Sequence, residues 1–275
     1  MSISNLVKSQ LISHGSYSIT AVSKDGIILG VDSRAGWNAK HTSDLTDTIN
    51  KNPLGYYDYV EKIFCFDNFA LSYIGYGSIG NHTIYYYLSK FKNQIDGSVN
   101  VDNVIFKFYD FIDQNYHPII NDILKLKFQV AGYISGKPHV SFNNNATHEV
   151  KYGHSEIGQD NFICCDTLSD FDKSYSANNS CEENANIIEK TIIDYAKKYG
   201  ETKVIGGAIR VLKIAPDNKI EWIKNGKKAI DYMTIKDFYV DFQMGKMKIN
   251  FKDENSKELW ESLMKELFKK EGVKL

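Results

Sequence analysis

Five places in the chain carry residues whose types and spacing suit chemistry. Gly15-Ser16 opens an apolar segment, Asp32-Ser33-Arg34 closes the next, and Lys62 opens a third. Gly75-Tyr76-Gly77 follows a fourth, and Ser155 lies in the run Gly153-His154-Ser155-Glu156-Ile157-Gly158. A serine hydroxyl barely ionises at neutral pH, so it becomes a nucleophile only with a base at hand. Taken singly, the other groups have plain structural roles: an aspartate at a strand end followed by serine caps a turn, and a lysine opening a strand is a solvated edge residue. Gly75-Tyr76-Gly77 with Gly80 is neither a dinucleotide nor a P-loop signature, because no lysine follows in the required place. The histidines at 14, 41, 82, 117, 139, 148 and 154 have no metal-like spacing, and Cys65, Cys164, Cys165 and Cys181 form no C-x-x-C pair. Neither a metal nor a cofactor is expected.

The elements that must position these residues follow from periodicity. Residues 17–22 alternate, with Tyr17, Ile19 and Ala21 on one side and Ser18, Thr20 and Val22 on the other, and Asp25-Gly26 turns the chain into a second strand over 27–31. That second strand is apolar apart from Gly30, as for a strand buried on both faces. Residues 62–66 and 69–74 read as a hairpin around Asp67-Asn68. Helices are expected over 81–93, from an Asp102 N-cap to about His117, and from Cys181 to Gly200. Further strands are expected over 128–133, 138–142, 148–152, 204–214, 219–223 and 247–251, and an amphipathic helix over 256–270 with Leu259, Leu263 and Leu267 in register. The polar stretch 36–60 is either a tolerated surface loop or a lid or subunit contact. The segment before Ser16 looks dispensable for folding.

The run Gly-Ser-Tyr-Ser-Ile-Thr-Ala-Val from Gly15, with Lys-Asp-Gly-Ile-Ile-Leu-Gly-Val-Asp-Ser-Arg-Ala ending at Ala35, resembles the start of a proteasome β-type subunit. The order of elements from about Gly15 to Trp222 is similar as well. The resemblance implies an α+β fold, the four-layer αββα sandwich of N-terminal nucleophile hydrolases, with residues 1–15 a candidate propeptide and 16–275 a single domain in which 36–60 is an insertion. It puts Ser16 on the catalytic N-terminal threonine, Asp32 and Arg34 on the Asp-Ser/Thr-Arg motif, and Lys62 on the catalytic lysine. One of Gly75, Tyr76 and Gly77 supplies the oxyanion N–H, and Ser155 falls near an auxiliary serine. Thr202 and Ile205 occupy the places of a further auxiliary acid and serine, so those two groups are missing.

The chemistry implied is that of a peptidase or amidase, hydrolysis of peptide bonds by an N-terminal serine. Cleavage of Gly15-Ser16 frees an α-amine with a reference pKa of about 7.7–8.0, able to act as the base for Ser16 Oγ. Lys62 would lower the proton affinity of that hydroxyl and relay the proton, and Asp32 would keep Lys62 charged and oriented. Implied partners are a peptide or unfolded protein and further proteasome-like subunits, as a homo-oligomer or ring. The alternative is a catalytically inactive structural subunit of such a ring; a third reading is an unrelated α+β protein.

Composition narrows the rest. The 275 residues are 43% apolar and 24% charged, as in an ordinary globular protein, and the formal net charge of −1 gives no reason to expect nucleic acid or an anionic membrane as partner. No run approaches a membrane span, no secretory signal opens the chain, and the few cysteines suit a reducing compartment, so a cytoplasmic (or nuclear) protein is expected.

Overall fold

The computed structural model describes residues 11–14, 17–39, 54–144, 149–154, 162–164, 174–203, 205–226, 232–270 and 272–273. In chain order these form β1 (Leu11–His14), β2 (Ser18–Ser23), β3 (Gly26–Val31), β4 (Ala35–Ala39), β5 (Gly55–Tyr57), β6 (Ile63–Cys65), β7 (Phe69–Ile74), β8 (Ser78–Ile79) and β9 (His82–Thr83). The helices α1 (Ile84–Lys92), α2 (Val104–Tyr116) and the short α3 (Ile120–Ile123) follow. Then come β10 (Lys127–Ile134), β11 (Lys137–Asn144), β12 (Glu149–His154), β13 (Phe162–Cys164), α4 (Cys181–Lys203), β14 (Arg210–Ile214), β15 (Ile220–Lys224), α5 (Ile235–Gln243), β16 (Asn250–Phe251) and α6 (Glu254–Lys270).

The strands build a mixed α and β protein from antiparallel sheets. One has the order β13-β2-β3-β14-β15, a second β12-β11-β10-β7-β6, a third β1-β4-β5-β16, and β8 pairs with β9. The alternation expected in β2 sorts its side chains between two cores. Tyr17, Ile19 and Ala21 pack with Ala185, Ile188 and Ile192 of α4. On the opposite face, Val22, Leu29 and Leu212 meet Ile63, Ala70 and Ala131 of the second sheet. The far face of that second sheet, with Leu71, Tyr73, Phe128 and Val130, is covered by Leu88 and Phe91 of α1 and Phe108 and Ile112 of α2. The interruption at Gly30 is the contact point with α4: a Cβ there would lie 2.3 Å from Ile188 Cγ2.

Ser18 and Thr20 face the second sheet, where a buried polar cross-link replaces apolar packing. Thr20 Oγ1 and Ser18 Oγ donate to Gln129 Oε1 (2.7 and 3.1 Å), and Ser18 Oγ bonds Ser72 Oγ (2.9 Å). Enclosed polar atoms need such partners, since leaving one unmade costs about 1–3 kcal/mol.

Several elements differ from expectation. The insertion at 36–60 supplies β4 and β5 of the third sheet, and Trp37 on β4 is buried with Phe238, Tyr239, Trp260, Met264 and Phe268. β1, upstream of Ser16, pairs with β4 from Leu11↔Ala39 to His14↔Gly36, so residues 11–14 are part of a sheet. The N-cap of α2 is Asn103, not Asp102. Asn side chains shape that turn: Asn103 Oδ1 accepts from Asn100 N, and Asn100 Oδ1 from Asp102 N, both at 2.9 Å. The Asp102 carboxylate faces His139 Nδ1 at 3.3 Å instead. The buried stripe of α6 runs through Trp260, Leu263, Met264 and Phe268, with Leu259 and Leu267 only half-buried. No helix among the described residues is long and apolar enough to cross a membrane.

Candidate active site

The hairpin register Ser18↔Val31 brings the start of β2 beside the end of β3, so Tyr17 faces Asp32. Asp32 N donates to the Tyr17 carbonyl (3.2 Å), and Tyr17 N donates back to Asp32 Oδ1 (2.8 Å). The same Oδ1 accepts from Lys62 Nζ at 3.0 Å. Oδ2 accepts from Arg34 N (3.2 Å) and Gly206 N (3.1 Å). Each carboxylate oxygen therefore takes two donors, which suits an ionised, acceptor-only aspartate.

Lys62 arrives from the residue before β6, its carbonyl accepting from Tyr73 N at 3.1 Å. Its Nζ also donates to the Arg34 carbonyl at 2.5 Å. Both side chains of the pair are enclosed, 4% exposed for Lys62 and 0% for Asp32. Burial pushes the Lys62 ammonium below the ordinary lysine value, against the pull of Asp32. Burial also pushes the Asp32 carboxyl up, opposed by Lys62 and the amides of Tyr17 and Gly206. Burial thus works against both charges, while their mutual attraction and the two amides on the carboxylate work for them.

A frame of main-chain bonds holds the Asp32-Ser33-Arg34 loop. Ser33 N donates to the Gly206 carbonyl (3.1 Å), while Val60 N and Tyr59 N donate to the Ser33 carbonyl and Oγ (2.8 and 3.2 Å). Gly206 and Gly207 have φ of +156° and +73°, and a Cβ on either would lie 2.8 Å from Arg34 Cζ or 2.7 Å from Ser33 Oγ. Glycine is the residue that fits this close approach. The Arg34 guanidinium turns away from the pair. It donates to both Asp58 oxygens (2.7 and 3.2 Å) and stacks over Tyr56 at 3.9 Å, tying the loop to β5. Arg34 meets Asp32 and Lys62 through its main chain.

Of the positions expected to do chemistry, the structure brings Asp32, Lys62 and the Arg34 backbone together. Gly15, Ser16 and Ser155 lie outside the described residues. Gly75 has φ +118°, the Tyr76 ring lies 5.9 Å from Lys125 Nζ, and the Gly77 carbonyl accepts from Ile84 N (3.0 Å). This turn leads into β8, which lies alongside β1, the strand ending two residues before Ser16. Ile205, standing where the resemblance has an auxiliary serine, is buried and apolar. The Gly206 amide next to it reaches Asp32. Sequence reasoning missed that donor, for which the Gly206-Gly207 pair was the one available signal. Among the described residues, no cluster of three or more His, Cys, Asp or Glu side chains is placed to hold a metal ion.

No family model and no curated protein matches the chain. Among solved structures it is similar to the Gly-1 mutant of Anbu from Hyphomicrobium sp. strain MC1, a bacterial proteasome-like protein. The two are 12% identical, the match covers 93% of this chain and 97% of that one, and the TM-score is 0.50. This likeness is one of fold. The chain has a proteasome-like fold.

Proposed function

We propose that this proteasome-like chain is an N-terminal nucleophile hydrolase that cleaves itself between Gly15 and Ser16 and then hydrolyses peptide bonds with Ser16. One observation carries the reading. A single oxygen of Asp32 holds both the Lys62 ammonium and the amide of Tyr17, the residue bonded to Ser16. In self-cleavage Ser16 Oγ attacks the Gly15 carbonyl carbon and the Gly15–Ser16 C–N bond breaks. The amine leaves with the hydroxyl proton, and water hydrolyses the resulting ester. In turnover the freed amine takes the Ser16 hydroxyl proton, Lys62 stabilises the forming alkoxide, and Asp32 fixes Lys62. An N–H from the Gly75–Gly77 turn serves the oxyanion, a contribution of about 2.7–4 kcal/mol for one donor. The three apolar clusters, helix on sheet, sheet on sheet and sheet on helix, support a four-layer αββα sandwich. The proposed partners are an extended peptide and further copies of the chain.

Intact mass of the purified chain tests this. Wild type should lose residues 1–15, and Ser16→Ala should keep them. A wild-type chain that stays full-length and turns over neither peptides nor esters overturns the proposal.

A second reading has its own support. β1 is paired into a sheet, and Ile205 offers no hydroxyl. A silent structural subunit would keep residues 1–15 and assemble without turnover.

A further inference from the structure

The C-terminal segment makes contacts for which the hydrolytic chemistry has no use. Residues 232–236 cross the turn that leads into α1. Thr83 N donates to the Met233 carbonyl (3.1 Å) and Thr83 Oγ1 to the Tyr232 carbonyl (2.5 Å). In the other direction, Ile235 N donates to the Asn81 carbonyl (2.8 Å) and Lys236 N to Asn81 Oδ1 (3.1 Å). Thr83 Oγ1 also accepts from Tyr86 N (3.2 Å) as the N-cap of α1. One hydroxyl thus joins the helix start to the C-terminal segment. Through β9 these bonds reach β8, which lies alongside β1.

The same segment holds the strand to which β1 is hydrogen-bonded. Trp37 of β4 packs against Phe238 of α5 and Trp260 of α6, with ring centroids 5.4 and 5.8 Å apart. β16 pairs with β5, and Lys252 N donates to the Leu54 carbonyl (3.0 Å). Both neighbours of β1, the paired β4 and the adjacent β8, are therefore fastened to one unit.

The geometry points to residues 232–270 as a clamp, built into the same chain, that fixes the two walls beside the segment leading to Ser16. Asn81 and Thr83 are its positioning residues. Its effect on turnover rests on the hydrolytic reading; its effect on the walls does not. Asn81 is 8% exposed, so removing its Oδ1 takes the acceptor of Lys236 N–H out of a largely enclosed turn. When residues 1–15 depart, each wall keeps its own bonds to the clamp.

Hydrogen exchange of the full-length chain tests the clamp, read peptide by peptide in wild type, Asn81→Ala, Asn81→Asp and Thr83→Val. Asn81→Ala should raise exchange at the Lys236 amide about tenfold, the factor for one lost hydrogen bond, and loosen residues 77–84 with it, with β2, β3 and β10 unchanged. Asn81→Asp keeps the acceptor and should restore protection. In peptide hydrolysis, Asn81→Ala should raise KM several-fold and Asn81→Asp should restore it, because the wall beside the peptide has moved. If Asn81→Ala fails to fold, Thr83→Val carries the same comparison. Unchanged protection over 77–84, or loss spread equally through β2 and β3, overturns the clamp. A wild-type chain that keeps residues 1–15 and hydrolyses nothing refutes the hydrolytic reading, while the exchange comparison still decides the clamp.

Discussion

Replacing Asp32 by asparagine is the most informative single change, because every contact to that carboxylate comes from a donor. Tyr17 N and Lys62 Nζ share Oδ1, and Arg34 N and Gly206 N share Oδ2. An amide in the same place must turn its NH2 toward one of these pairs. Two N–H groups then face a donor, at about 1–3 kcal/mol each. The ion pair goes as well: at 3.0 Å and an effective dielectric of ~20 its Coulomb energy is about 5–6 kcal/mol, partly cancelled by desolvation. Breaking a buried pair from one side costs about 3–5 kcal/mol, so Asp32→Asn and Lys62→Met should each lower stability by at least that range's lower end.

The double variant removes the stranded charge and should recover about 2–3 kcal/mol relative to the sum of the singles. Denaturant unfolding of the four proteins measures this, with Ser16→Ala as common background so that cleavage does not intrude. A loss under about 1 kcal/mol for Asp32→Asn, or strict additivity, would refute the donor arrangement around Asp32.

Two further outcomes follow from packing and charge. Gly30→Ala places a Cβ 2.3 Å from Ile188 Cγ2 and should cost about 1–3 kcal/mol; Ile188→Ala removes the obstructing methyl, so the pair should cost less than the sum, and additive losses in chemical denaturation would contradict the contact. Asp25 accepts from Lys213 Nζ and Cys181 N, both at 2.7 Å. Burial pushes its carboxyl up, but these bonds outweigh that and hold it below the ordinary 3.8. Its stabilisation is full above 3.8 and is lost as pH falls through the lower folded value. Asp25→Asn should therefore flatten the acid limb of stability between about pH 2 and 5, and parallel acid limbs in the two proteins would exclude the assignment.

What the sequence discloses depends on where each signal resides. Alternation over residues 17–22 is readable because the two faces of β2 meet different partners, an apolar helix and a polar cross-link. Asp32 and Lys62 stand 30 residues apart, and only resemblance joins them before folding does. The Gly206 donor is a backbone N–H, signalled in residue type only by the Gly206-Gly207 pair that the close approach to Arg34 and Ser33 requires. The strands of the insertion leave little sequence signal because β5 has only three residues and the strongest apolar residue, Trp37, finds its partners some 200 residues later. α5 is a different case: Ile235, Phe238, Tyr239 and Phe242 do recur at helical spacing, and the pattern is simply easy to pass over beside the longer α6.

The position of β1 bears on both functional readings at once. In its sheet the order is β1-β4-β5-β16, so β1 is an edge with β4 as its paired neighbour. Losing an edge strand removes one set of ladder bonds and leaves the β4–β5 and β5–β16 pairs whole, whereas losing an inner strand would split the sheet. An edge position lets residues 11–14 pair in the uncleaved chain and, on the hydrolytic reading, leave without splitting the sheet. If it stays, it covers the outer edge of β4 and no extended peptide can add there. If it goes, that edge carries unpaired N–H and C=O groups from Gly36 to Ala39, beside walls that the C-terminal helices continue to hold. On the hydrolytic reading the β4 edge opens only when Gly15-Ser16 is cut and β1 then leaves its ladder, so intact mass and exchange along β4 report successive steps of one event.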